Sequence, residues 1–253
     1  MADQFVVPDG LEELREEMPS IMDLIARTAR WVHPDTFHAL PVWYPEMARG
    51  LPIYNARWDG AYTNRNRSTS VVVGKTEANI SAAKALVAAL GARRTDNWTA
   101  CHIWGVDSPK FQAPNAVVRD RRFYSCVGNM VWLPTPLKGF TDAVPSIKQM
   151  LRVCAYHLYD WACQHPEVAS LAAEVQSGTI PDGYPASWPT PERRDPPPGT
   201  APYSPRVANA IRMRKEGLRR MLDDSSLINF PRKEVEEVLA FWKVELPAAP
   251  QRR

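Results

Sequence analysis

His102 is a side chain whose setting suggests chemistry. Imidazole changes charge near neutral pH, so it can take or give a proton. It stands in the run Trp98-Thr-Ala-Cys101-His102-Ile-Trp104-Gly105. Asn129 stands in a second apolar run, Phe123 to Leu133. Lys138 and Asp142 follow, four residues apart, a spacing that puts both on one face of a helix. Asp107, five residues after His102, offers a further oxygen donor. Arg119, Arg121 and Arg122 form a basic run just ahead of the second apolar segment, placed to touch a polyanionic backbone. Each residue also has an ordinary reading. His102 suits a core histidine bonded to a carbonyl, Gly128-Asn129 suits a turn, Asp142 suits a helix end, and an arginine run is usually a solvated loop.

These residues need elements to position them. Apolar residues lead into His102, a polar loop follows, and the second apolar run contains Asn129. Thr135-Pro136 then reads as a helix start, with Thr as cap and Pro in the first turn, where its missing N–H does no harm. The order is strand, loop, strand, helix. Thr99–Trp104 and Phe123–Leu133 are expected to pair antiparallel, with a helix from about Pro136 packed on them.

That order, with His102 closing the first strand and Asn129 before the last apolar run, resembles the HNH, or ββα-metal, nucleases. The resemblance covers Trp98 to Asp142. It implies His102 as general base toward the water that attacks a phosphodiester, and Asn129 as the residue that holds the finger or the histidine. It implies a divalent metal (Mg²⁺, Mn²⁺ or Zn²⁺) held by the residue before the base and by residues on the helix. Two slots depart from the family pattern. Cys101 stands where Asp or His is usual, and Lys138 stands where the helix usually carries a His. Asp142 fills a further ligand slot, with Asp107 another metal candidate. Lys138 cannot ligate a metal while charged, and is instead suited to touch the phosphate directly.

The fold class expected is therefore α+β: a small ββα-metal-like unit, two antiparallel strands plus a helix, embedded in a mainly helical protein. The function implied is a metal-dependent endonuclease acting on DNA, in restriction or defence. The alternative is an inactive descendant of that fold that binds nucleic acid or protein. Arg119, Arg121 and Arg122 would contact the nucleic acid.

Composition bounds these readings. Of 253 residues, 45% are hydrophobic, enough for a sizeable core, and the net charge of +3 permits a nucleic-acid partner without demanding one. The four cysteines lack C-x-x-C spacing, which disfavours a zinc ribbon or redox motif; a structural zinc using Cys154, Cys163 and His165 stays open beside buried free thiols. The acidic start and the short, Ala-rich apolar stretches suggest neither a signal peptide nor a membrane span, so a cytoplasmic protein with reduced thiols is expected. Four regions are expected: 1–60, helical and aromatic; 61–178, the HNH-like core with flanking helices; 179–205, a Pro-rich linker or arm outside the core; and 206–253, helical. Helices are expected at 11–31, broken near Pro19 with Ser20 as cap, at 76–90, at 146–165, at 206–223 and at 232–244. The C-terminal helices offer a surface for a protein partner, and a homo-oligomer stays open.

Overall fold

A computed structural model of the chain describes residues 6–93, 95–105 and 115–248. The helices are α1 (Gly10–Glu13), α2 (Met18–Thr28), α3 (Pro34–Ala39), α4 (Ile80–Ala89), α5 (Ala116–Arg119), α6 (Arg121–Tyr124), α7 (Lys138–Ala143), α8 (Pro145–Tyr159), α9 (Ala169–Gln176), α10 (Pro205–Asp223) and α11 (Arg232–Phe241). The strands are β1 (Thr63–Arg65), β2 (Val72–Gly74), β3 (Trp98–His102) and β4 (Met130–Pro134). The described residues thus form a mixed α+β structure with two small antiparallel sheets, β1–β2 and β3–β4. No helix among the described residues is long and apolar enough to cross a membrane.

The β3–β4 pair sits in the main core. Its register matches Trp98 with Pro134, Ala100 with Trp132 and His102 with Met130. Side chains alternate across a strand, so Cys101 and His102 leave opposite faces of β3. Met130, Val131 and Leu133 are wholly buried, and the pair packs against α4 and α7. Arg30 extends the sheet by backbone hydrogen bonds to Trp132 in both directions, at 2.9 and 3.1 Å.

Several boundaries differ from the sequence expectation. The run from Phe123 is strand only from Met130 onward. Phe123 and Tyr124 end α6, and Val127–Asn129 form a 3-10 turn. A continuous apolar run marks burial, and burial does not distinguish strand from a tight helical turn. After β4 the chain makes a 3-10 turn, Thr135–Leu137, before α7, and Thr135 is not a side-chain cap. This stretch is two helices, as expected, but α1 ends at Glu13, Pro19 lies in the first turn of α2, and Ser20 is not its cap. The helix expected from residue 76 begins only at Ile80, and Glu77 ahead of it accepts through Oε1 from Ile80 N and Ser81 N at 2.9 and 3.1 Å. Asp160, at φ 52°, ends α8 in a left-handed turn, short of the expected His165.

The Pro-rich stretch is not an arm outside the core. Trp188 is fully buried and meets Trp31 edge to face at 5.7 Å. Trp31 N and Ala201 N donate across to Gly199 and Trp31 carbonyls at 3.2 and 2.8 Å. Proline disfavours helix, yet an extended strap can still bury a large aromatic ring. α10 likewise joins the main core through Val207 and Ile211, and its Leu218 forms a smaller cluster with Trp58, Phe230, Val235 and Leu239. Buried Glu46 takes two hydrogen bonds from Arg214 of α10, at 2.5 and 2.6 Å, and the Arg214 guanidinium lies 4.4 Å from the Tyr44 ring centre.

Candidate functional site

Cys101, His102, Lys138 and Asp142 line one small pocket together with Arg49, Asn79 and Asn115. Its volume is about 90 Å³. That is far below the roughly 300–1,000 Å³ of a site that engulfs a small molecule, so it suits one small group, such as a phosphate, on a larger ligand. Four of the residues carried by the HNH resemblance therefore converge in space, while Asn129 does not line this pocket. Asp107 lies outside the described residues.

His102 is half-buried at the end of β3. Its Nε2 lies 2.8 Å from the Tyr124 carbonyl oxygen. A carbonyl can only accept, so Nε2 carries the proton, and in the neutral ring Nδ1 carries the lone pair. The Tyr124 ring stacks on the imidazole, centres 5.9 Å apart and planes at 23°. The Tyr124 hydroxyl lies 2.7 Å from Glu77 Oε1 and 2.8 Å from the Ala78 carbonyl. Burial, and then the neighbouring Glu77 carboxylate, raises its pKa far above the usual phenol value.

The backbone beyond His102 is pinned from both sides. Asn129 is fully buried, and its Oδ1 accepts from Trp104 N at 2.9 Å while its Nδ2 donates to the Phe123 carbonyl at 3.0 Å. Ile103 N donates to the Asn129 carbonyl at 3.0 Å. From α8, buried Arg152 donates through Nε to the Ile103 carbonyl at 2.7 Å. Burial lowers its pKa to about 10. Gly105 then passes so close to Asn115 that an added Cβ would lie 1.7 Å from Asn115 Nδ2. Glycine is needed there for space, and Asn115 caps α5 through Val118 N at 3.3 Å.

Cys101, the neighbour of His102 on β3, borders the same pocket with the other departures. Cys101 is buried, and desolvation pushes its thiol up to about 11, with a Thr141 hydrogen bond and the charges of Lys138 and Lys148 pulling the other way. Lys138 and Asp142 form an ion pair along one face of α7, each side chain 41% exposed. The described donors thus hold one another in place of a cation. A protonated thiol is a poor ligand, the carboxylate is engaged by an ammonium, and no group of three His, Cys, Asp or Glu side chains among the described residues could hold a metal. Cys101, Cys126, Cys154 and Cys163 are free and buried.

The arginine run is largely taken up by the fold. Arg122 forks onto Asp120, its guanidinium lies 5.2 Å from the Phe123 and Phe241 ring centres, and Trp242 Nε1 donates to its carbonyl at 2.9 Å. Arg121 Nε reaches the Glu46 carbonyl at 3.4 Å. Arg119 is exposed, but Glu234 and Glu237 of α11 share this surface. Sequence reasoning missed Arg49, Asn79, Asn115, Tyr124 and Arg152 as parts of the site. Only Arg152 carried a signal: with Lys148 it makes a charged pair four apart, and both are buried on α8.

Comparison with known protein families, curated proteins and solved structures finds no match for this chain.

Proposed function

We propose that the chain is a phosphodiester hydrolase acting on nucleic acid, DNA first, with His102 as general base. The observation that carries this is the His102–Tyr124 carbonyl hydrogen bond at 2.8 Å, beside a pocket bordered by Arg49 and Lys138. It assigns the proton to Nε2, and on this reading Nδ1 is the nitrogen that takes a proton from water. As the water oxygen bonds to phosphorus, its proton passes to His102 Nδ1. The bond to the leaving oxygen breaks, and that oxygen takes a proton from solvent. Arg49 and Lys138 offset the charge gathering on the phosphoryl oxygens. No step is routed through a metal, because the described donors do not assemble a cation site.

The test is incubation with supercoiled plasmid and with single-stranded DNA, in EDTA and in Mg²⁺, Mn²⁺ or Zn²⁺, beside His102→Ala. The divalent arms are included because the HNH resemblance implies a metal. Cleavage abolished by His102→Ala supports the reading. Equal cleavage by both proteins overturns it.

A second reading is favoured by the Lys138–Asp142 pair, which fills two ligand slots with mutually satisfied charges. On that reading the chain is a non-catalytic nucleic-acid- or protein-binding relative of the nucleases. Tight DNA binding without cleavage under every condition would support it.

A further inference from the structure

The β1–β2 hairpin stands away from both cores. Every residue from 61 to 76 is exposed, including Tyr62 at 48% and Val71, Val72 and Val73 at 55, 53 and 59%. A two-stranded ribbon without a covered face is marginal by itself, and this one is braced at both ends. At the tip, Asn66 Oδ1 accepts from Ser68 N, Ser68 Oγ and Thr69 N at 2.9, 2.7 and 3.2 Å. Ser70 turns the chain at φ 57° and donates to the Asn66 carbonyl at 2.9 Å. At the root, Ile53 N donates to Lys75 and Tyr62 N to Ile53, at 2.9 and 2.6 Å. Gly50 N and Glu77 N close the ladder onto Glu77 and Leu51, both at 2.7 Å.

That root adjoins the candidate site. Arg49 and Asn79, which flank the ladder, line the His102 pocket. Glu77 meets the Tyr124 hydroxyl, and the Tyr124 carbonyl holds His102. From Lys75 to the tip the ribbon reaches on the order of 20 Å at about 3.3 Å per residue. Its charge is of one sign. Residues 60–76 contain Arg65, Arg67 and Lys75 and no Asp or Glu. None of the three is ion-paired among the described residues.

We infer that this hairpin is an arm that grips a nucleic-acid backbone and leads it to the His102 pocket, an inference that rests on the nucleic-acid reading above. Arg65, Arg67 and Lys75 contact phosphates, and the ribbon has the width that a duplex major groove admits. The exposed valines would also suit an edge-to-edge contact with a second copy, but that contact sets like charges against each other, whereas a phosphate backbone matches them.

The experiment is fluorescence anisotropy of a labelled 30-base-pair duplex across 50–200 mM NaCl, with sedimentation velocity on the same samples. The proteins are wild type, Arg65→Ala/Arg67→Ala and Arg65→Lys/Arg67→Lys. Each duplex phosphate contact adds about 0.9 to the slope of log affinity against log salt. The alanine pair should weaken binding at least tenfold and flatten the slope by about 2, and the lysine pair should keep the slope. Wild-type binding with an unchanged alanine pair overturns the arm and leaves the nucleic-acid reading standing. No binding by wild type to the duplex, or to its labelled single strand titrated alongside, overturns both. A wild-type dimer that the alanine pair alters without changing DNA affinity assigns the ribbon to self-association and overturns the proposal.

Discussion

His102 Nε2 and the Tyr124 carbonyl oxygen stand 2.8 Å apart, joining the end of β3 to the end of α6. Both are held by other partners: Tyr124 by Glu77 through its hydroxyl, and the residues after His102 by Asn129 and Arg152. If His102 deprotonates water, His102→Ala should lower cleavage by about 10²–10⁴-fold, measured as initial rates on plasmid. Its circular dichroism should stay close to wild type, because the pins on Ile103 and Trp104 do not involve the imidazole, while its melting temperature should fall modestly, because the Tyr124 carbonyl loses its partner.

Asn129 should matter more for stability than its small side chain suggests. Asn129→Ala strands the Trp104 N–H and the Phe123 carbonyl in a fully buried place. Each unpaired buried group costs about 1–3 kcal/mol. Urea unfolding should show a lower midpoint with an unchanged slope. Asn129→Asp keeps the acceptor for Trp104 N but sets a buried, unpaired carboxylate against the Phe123 carbonyl, so it should be at least as destabilising as alanine. An alanine variant as stable as wild type would remove Asn129 from its structural role.

Lys138→His should strengthen divalent-metal binding. An ammonium about 4 Å from one charge of a cation is repelled by roughly 4 kcal/mol at an effective dielectric near 20. The change removes that repulsion, adds a neutral nitrogen donor and releases Asp142 from its ion pair. Calorimetric titration with Zn²⁺ and Mn²⁺ on both proteins measures it. Tight wild-type binding that the substitution leaves unchanged would place the metal elsewhere, with Cys101 and Asp107 tested next.

Glu46 and Arg214 fasten α10 to the aromatic stretch after α3. Glu46 is 5% exposed. Arg214→Ala leaves that carboxylate buried without its partner, a loss of about 3–5 kcal/mol for a buried pair. Changing both residues to a matched apolar pair should recover much of it. Thermal unfolding of the single and double variants reads the difference.

Alkaline pH should destabilise the fold through its thiols. Burial raises Cys101 to about 11 and Cys163 to about 12 from an ordinary 9.0. Above pH 9 the unfolded chain releases these protons while the folded chain keeps them, so stability falls as pH rises. The stabilisation is fully present below pH 9 and is lost through pH 11 to 12. Urea midpoints at pH 8, 9 and 10 should decline in order, and Cys101→Ala should reduce the decline. Alkylation of native protein at pH 8 should be slow.

Much of the site could be read along the chain because its parts are local. The apolar run into His102, the apolar residues at Met130 to Leu133, and the four-residue step from Lys138 to Asp142 are properties of a strand and of a helix face. Those periods follow from backbone geometry alone. The boundaries were less legible. Phe123 to Asn129 is as buried as β4, yet it folds as two helical turns, because hydrophobicity reports burial and carries no period over so short a run. The Pro-rich strap looked polar and open, yet it places Trp188 beside Trp31 in the core.

What the sequence determined by itself was the α+β class, the paired β3 and β4 strands, and the residue types available for chemistry. What only tertiary structure decided was which groups surround them. Arg49, Asn79 and Asn115 reach the His102 pocket from distant segments, and Arg152 holds the Ile103 carbonyl from α8. The same packing engages Arg121 and Arg122 within the fold and leaves the Arg65–Arg67 hairpin exposed. The physical reason is that a side chain's charge belongs to the residue, while its partners depend on long-range packing. That packing follows from the total burial of the core, to which no local pattern gives access.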